Sequence, residues 1–253
     1  MIAAEKNAIA KLFDIAADCL RDGYRGAERV YGFADDCPQG NVADDAVGNF
    51  FEGGAGNADS LDSVAGEVRA CMGCSLGKTR KNAVPGEGVS RPDVMVVGEG
   101  PGADEDSTGR PFVGNAGKLL DKMLASIGLS RETNCFIANV IKCRPPNNRD
   151  PRPDETTACA SFLERQMIVL RPKIILCAGR IAAQTLLKTA ESTGKLRGRF
   201  HKMRVADSVI PLVVTYHPSA LLRNDEYKRP AWEDLKMLKS WLDENSDANG
   251  AES

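Results

Sequence analysis

The segment DVMVVG, residues 93–98, decides the fold. It is short, β-branched and apolar along its whole length, which is the pattern of a strand covered on both faces inside a parallel sheet. Three further runs share that character: CFIANVI (135–141), KIILCAG (173–179) and PLVVTYH (211–217). Helical periodicity falls at residues 115–127, 154–170 and 179–189, and again near 230–243. This βαβα order predicts a three-layer α/β/α sandwich around a four-stranded, mostly parallel sheet. Ligands of such sheets bind beyond the carboxyl ends of the strands. Those ends carry GEGPG, NVIKCRPPNNRDP, AGR and YHPSALLR, and chemistry is expected there.

The 253 residues exceed one ordinary α/β domain and leave an appendage. Residues 4–30 place Ile9, Leu12, Phe13, Ala16 and Leu20 at helical spacing, so residues 1–30 read as an N-terminal helical extension. Residues 31–61 contain no lysine or arginine, are rich in Gly, Asp and Asn, and read as a flexible acidic linker. A folded domain is expected over 62–243, followed by a disordered acidic tail over 244–253. The formal charge is −7 over residues 1–65, +9 over 66–240 and −4 over 241–253, and the basic centre is compatible with a polyanionic partner. No apolar run approaches the roughly 20 residues that span a bilayer. The start carries Glu5 and Asp14 where an export signal would be basic and then apolar, so a cytoplasmic protein with no membrane partner is expected.

Residues 97–117 read VGEGPGADEDSTGRPFVGNAG. The glycines suggest a phosphate turn, but Glu99, Asp104, Glu105 and Asp106 would repel a phosphate. Cys71 and Cys74 form CMGC, a chelating pair, and Cys143 and Cys159 have fifteen residues between them. Four thiolates in two groups suit a structural zinc or a [4Fe-4S] cluster, and spacing does not choose between them. CMGC alone also fits a redox dithiol. Cys19, Cys37, Cys135 and Cys177 lack chelating spacing; Cys135 and Cys177 read as core residues.

Taken together, GEGPGADEDSTGRPFVGNAGKLLDKML, NVIKCRPPNNRDP and YHPSALLR, in that order and with the four cysteines around them, resemble the family 4 uracil-DNA glycosylases. The resemblance covers about residues 62–243 and implies a [4Fe-4S] cluster on Cys71, Cys74, Cys143 and Cys159. It further implies an enzyme that flips uracil out of DNA and hydrolyses its N-glycosidic bond, initiating repair of deaminated cytosine. Uracil-containing DNA is the expected partner, the chain a monomer, and its location near the nucleoid if the source is bacterial.

By that resemblance Phe112 stacks on uracil, Asn139 reads its Watson–Crick edge, and His217 donates to uracil O2 as negative charge develops there. The backbone amides of Gly100 to Gly102 approach the base, as glycine permits. Gly100 stands where a better-known branch of the superfamily has a water-holding aspartate, so the water falls to Glu105. Glu99 is the other candidate, with a role in loop shape or the pocket wall, and Asn148 matches a position near the reacting sugar. Leu221 matches the side chain that fills the space of the flipped base. Arg223, Arg197 and Arg199 are expected at phosphates, His201 at DNA or in the structure, and Lys78, Arg80 and Lys81 toward DNA. With no lysine at a matched position to form a Schiff base, the enzyme is expected to be monofunctional. The alternative is a uracil-DNA sensor that binds or covalently traps its target, and a zinc-stabilised nucleotide-binding protein, which would be colourless, is a third.

Overall fold

The computed structural model describes residues 59–246, so the expectations for residues 1–30, for the linker up to residue 58 and for the tail beyond 246 lie outside the described residues. The four apolar runs form the centre of the sheet as expected: β2 (Val94–Gly98), β3 (Cys135–Asn139), β4 (Ile174–Ala178) and β6 (Ser208–Thr215) are parallel neighbours. The sheet has six strands rather than four, in the order β1-β3-β2-β4-β6-β5. The added strands, β1 (Glu87–Gly88) and β5 (Phe200–Val205), pair antiparallel at the two edges. β1 is too short for periodicity to reveal. β5 reads FHKMRV, burying Met203 and Val205 while exposing Lys202 and Arg204, and its charges disguise an edge strand as a basic segment.

Helices α1 (Leu61–Ala70), α2 (Ala103–Thr108), α3 (Asn115–Ala125), α4 (Pro153–Leu170), α5 (Arg180–Leu187), α6 (Thr193–Leu196), α7 (Pro218–Arg223) and α8 (Lys228–Ser246) connect and flank the strands. α1 starts inside the expected linker boundary, where Ser60 Oγ accepts from the backbone N–H of Ser63 at 3.1 Å, and α8 runs three residues past residue 243. On one face of the sheet Met95, Val97, Ala138, Ile175, Cys177 and Val214 pack with Leu163 and Met167 of α4 and Ala182 and Ala183 of α5. The alternate residues Val94, Val96, Ile137, Leu176 and Val213 are equally buried on the other face, which gives the three layers. Each such side chain contributes about 1.5–3 kcal/mol by leaving water. Cys135 and Cys177 lie in this core as expected, and burial pushes both thiols up, Cys135 to about 12. Among the described residues no helix is long and apolar enough to cross a membrane.

The register places the functional segments. Gly98 pairs with Asn139, Val97 with Cys177 and Ala178 with Thr215, so the four parallel strands end on one line. β3 lies on one side of β2 and β4 on the other, so the chain reverses its winding at β2 and a crevice opens beyond that strand's carboxyl end.

Candidate active site at the carboxyl ends of the strands

A cleft of about 650 Å³ opens there, and its walls include Glu99, Gly100, Gly102, Glu105, Phe112, Asn139, Asn148, His217 and Arg223. Eight of these nine come from the expected catalytic and base-binding residues, and Arg223 from the expected DNA contacts. The loop after β2 is built for close approach. A Cβ on Gly98 would lie 2.5 Å from both Asn139 Oδ1 and Phe112 Cζ, and one on Gly100 would meet Ile141 Cγ1 at 2.7 Å. Only glycine leaves room there for the side chains that line the cleft.

The acidic residues of this loop divide their work. Its Oε2 accepts from Gly102 N at 3.0 Å, closing the first turn of α2, while Oε1 accepts from Val113 N at 2.8 Å and Gly114 N at 2.9 Å. These three backbone N–H groups make Glu105 a brace for the loop, and the residue also lines the cleft. Buried Asp106 accepts from Lys81 N at 2.9 Å and so joins the loop to the segment after Cys74. Glu99 stands in the opposite situation. Its carboxyl faces the cleft, and its pKa is raised first by burial and then by Asp150, against the pull of Arg180. Glu105→Ala leaves three backbone donors without their anion. A loss of about 2 kcal/mol follows, a fall in melting temperature of roughly 4–8 °C for a domain of this size. Calorimetry checks it, and an unchanged melting temperature would remove Glu105 from this role.

Phe112 adopts a left-handed backbone, φ 53°, that costs a non-glycine residue on the order of 1–3 kcal/mol. Arg131 holds it there, donating from Nη2 to the carbonyl of Phe112 at 3.0 Å and from Nη1 to that of Pro111 at 2.9 Å. The Phe112 ring, 6% exposed, lies 5.6 Å from the His217 ring at a tilt of 32°. Asn139, 2% exposed, has an Oδ1 with no hydrogen-bond partner. A buried acceptor left unpaired costs about 1–3 kcal/mol, a cost that a ligand N–H can remove.

His217 follows β6 and caps α7. Its Nδ1 accepts from Ser219 N at 3.1 Å and lies 2.8 Å from Ser219 Oγ. A backbone N–H can only donate, so Nδ1 carries no proton. Burial, and then Arg223, lower the pKa of the ring to about 4, against the pull of Glu105. The ring is therefore neutral near pH 7 with its proton on Nε2, a donor free for the cleft. Gly179, at φ 99°, sits against it, and a Cβ there would be 2.7 Å from His217 Cβ. Asn148, at φ 52°, has its Oδ1 engaged by Arg144 Nε at 2.7 Å, which leaves its Nδ2 to donate.

The expected DNA contacts are only partly assembled. Leu221 is 1% exposed and packs inward from α7, so as it stands it fills the core and not a gap in a duplex. Its neighbour Leu222 is half-buried. The guanidinium of Arg197 is engaged by buried Asp234 at 2.8 Å and by the carbonyl of Pro230, which makes it a tie to α8 rather than a phosphate contact. Arg199 remains open, with a 60% exposed side chain and Glu191 at 3.7 Å. His201 Nε2 lies 2.7 Å from the Leu196 carbonyl oxygen, a structural contact. Arg180 was missed by residue as a cleft cation; its signal was the first turn of a helix that directly follows a strand end.

Cys71, Cys74, Cys143 and Cys159 line one small cavity together with Arg80 and Lys142. Arg80 turns inward and not toward DNA: Nη1 donates to Cys143 Sγ at 3.0 Å and Nη2 to the Arg69 carbonyl at 2.7 Å. Gly73 N donates to Cys71 Sγ at 3.4 Å. Lys78 and Lys81 are exposed. Among the described residues no group of three His, Cys, Asp or Glu is arranged to hold a metal ion.

Comparison with known proteins bears on this site. The sequence model of the uracil DNA glycosylase superfamily matches residues 85–236. The type-4 uracil-DNA glycosylase of Saccharolobus solfataricus is 48% identical over 189 residues, which cover 73% of this chain and 87% of that protein. That of Thermotoga maritima is 42% identical over 185 residues, 72% of this chain and 94% of the relative. The type-5 uracil-DNA glycosylase of Pyrobaculum aerophilum is more distant, at 33% over 153 residues, 54% of this chain and 66% of that protein.

Proposed function

The chain belongs to the uracil DNA glycosylase superfamily, and from that premise we propose that it works as its type-4 relatives are named, hydrolysing the N-glycosidic bond of uracil in DNA and leaving an abasic site. The observation that carries the residue roles is the pairing of an unpartnered buried acceptor, Asn139 Oδ1, with a neutral His217 whose Nε2–H is unengaged across the same cleft. The nucleotide swings out of the stack and its base enters the cleft. Phe112 stacks on the ring, and Asn139 accepts from N3–H and donates to O4. Cytosine presents those two groups in reverse, so it leaves both partners unpaired.

As the C1′–N1 bond breaks, its electron pair moves onto uracil and positive charge develops on the sugar. His217 Nε2–H donates to O2 and stabilises that negative charge, helped by the amides of Gly100 to Gly102. Water adds to C1′ from the opposite face. Glu99 accepts its proton and Asn148 orients it; of the two glutamates in the cleft, Glu99 and Glu105, only Glu105 is engaged by backbone amides. The raised pKa of Glu99 suits a base that must both hold and release a proton. Arg223, Arg180 and Arg199 supply the cationic surroundings for phosphates. No covalent step involves the protein, so strand cleavage does not follow.

The four cysteines fit an iron-sulfur cluster. They share one cavity, and the N–H donors of Arg80 and Gly73 favour the anionic sulfur that a cluster requires. Bound there, a [4Fe-4S] cluster would supply a covalent tie between the CMGC segment and the start of α4, in a monomer acting on DNA in the cytoplasm. Iron and acid-labile sulfide in equal amounts, in a brown protein, support it; a colourless zinc protein would sink it.

Incubation with a uracil-containing oligonucleotide tests the activity. Free uracil and alkali-labile sites are the expected products, whereas a denaturant-stable adduct would favour a covalent sensor. Glu99→Gln should lower the single-turnover rate by about 10²-fold and remove the acid limb of its pH profile. That limb lies above the ordinary glutamate range of 4.5, since the folded pKa is raised. A profile that keeps the limb in Glu99→Gln would assign it elsewhere.

A further inference from the structure

Among the described residues Lys142 is the largest fully buried side chain, at 1% exposure, and both of its hydrogen-bond acceptors are neutral. Its Nζ donates to the carbonyl of Asn139 at 2.9 Å and to Gln166 Oε1 at 2.7 Å. A buried lysine without a carboxylate is costly, so what it holds matters. The first bond runs three residues back and closes residues 139–142 on themselves. The second reaches α4, where Gln166 in turn donates from Nε2 to the Pro85 carbonyl at 2.8 Å. Lys142 also lines the cavity of the four cysteines. One side chain thus lies between the cysteine cavity and the strand end that carries Asn139.

Asn139 needs such support. Its Oδ1 has no partner to aim it, so its direction depends on where the backbone of β3 ends and on its packing against Gly98. We propose that Lys142 is a positioning residue for uracil recognition, a buried clamp that holds the Asn139 backbone in place against α4 and the four-cysteine site. The proposal rests on the reading of Asn139 as the base reader. Lys142 acts through Asn139 and touches no substrate.

The test measures binding without turnover. Duplexes carrying 2′-fluoro-2′-deoxyuridine, whose electronegative substituent resists an oxocarbenium-like transition state, are compared with cytosine counterparts by equilibrium titration of the cluster-loaded protein. Lys142→Met should reduce the preference for the uracil duplex about tenfold, and by less than about twofold when made in an Asn139→Ala background. Gln166→Met, which leaves the neighbours of Cys143 intact, should shift the preference in the same direction by a smaller factor. Iron content and melting temperature, read on every variant, separate loss of the clamp from loss of the cluster or of the fold. Where Lys142→Met loses either, Gln166→Met decides. The idea is overturned if the preference survives in the deciding variant, or if its loss is as large without Asn139 as with it. Absence of any preference in the wild-type protein would instead sink the reading of the site.

Discussion

His217→Ala lowers the single-turnover rate of uracil excision by about 10²–10³-fold, the loss typical of removing one oxyanion donor, while affinity for uracil-containing DNA changes less than about threefold. The asymmetry follows from when the bond matters. Uracil O2 is a weak acceptor in the intact nucleotide and gains charge only as the glycosidic bond stretches, so the Nε2–H contributes chiefly in the transition state. The neutral ring also sets the pH behaviour. Its pKa is lowered from 6.5 to about 4, so the rate should not inflect near 6.5. For stability the sign is fixed by the same shift. Between about 6.5 and 4 the unfolded chain binds a proton that the folded chain refuses, so this group's contribution is complete above 6.5 and is lost as pH falls toward 4. Equal losses in rate and affinity, or a rate inflection at 6.5 that requires His217, would mean that the residue positions the base instead.

What was legible in the sequence follows from which physics is local. Strands such as residues 93–98 announce themselves because burial on both faces demands an unbroken apolar run, and the parallel order then brings four strand ends to one line without further information. Gly100 was readable as a close-approach position from the glycine run itself, whereas Gly98 was not singled out. Side-chain direction was not. Glu99 and Glu105 are both acidic loop residues, and only the turn of α2, which spends both oxygens of Glu105 on backbone amides, separates them. Leu221 faces the core because α7 is a single short helix whose inward side depends on its packing against α3, far away in the sequence. Arg197 and Arg80 were misread toward DNA because a charge in sequence looks solvated until its buried partner, Asp234 or Cys143, is known.

Asn139→Asp should reduce the preference for uracil over cytosine by on the order of 10²-fold, more than the loss of packing explains, since the two residues are nearly isosteric. The change replaces the Nδ2 donor by an oxygen. When that carboxylate is ionised it still accepts from N3–H but confronts uracil O4 with a second acceptor, so excision of uracil falls. When it is protonated it offers one donor and one acceptor, and can turn either toward N3 and the exocyclic position. It then matches cytosine, whose N3 accepts and whose N4 donates, as well as uracil. The site buries this position to 2% exposure, which raises a carboxyl pKa by desolvation, so the protonated form is favoured as pH falls. Discrimination in the variant should therefore worsen toward acid, whereas in the wild-type protein an amide that does not titrate keeps it constant. Parallel excision assays on uracil and cytosine oligonucleotides across the pH range measure both effects. A variant that keeps its selectivity at every pH would take the reader role away from Asn139, and with it the reason for the neighbouring lysine clamp.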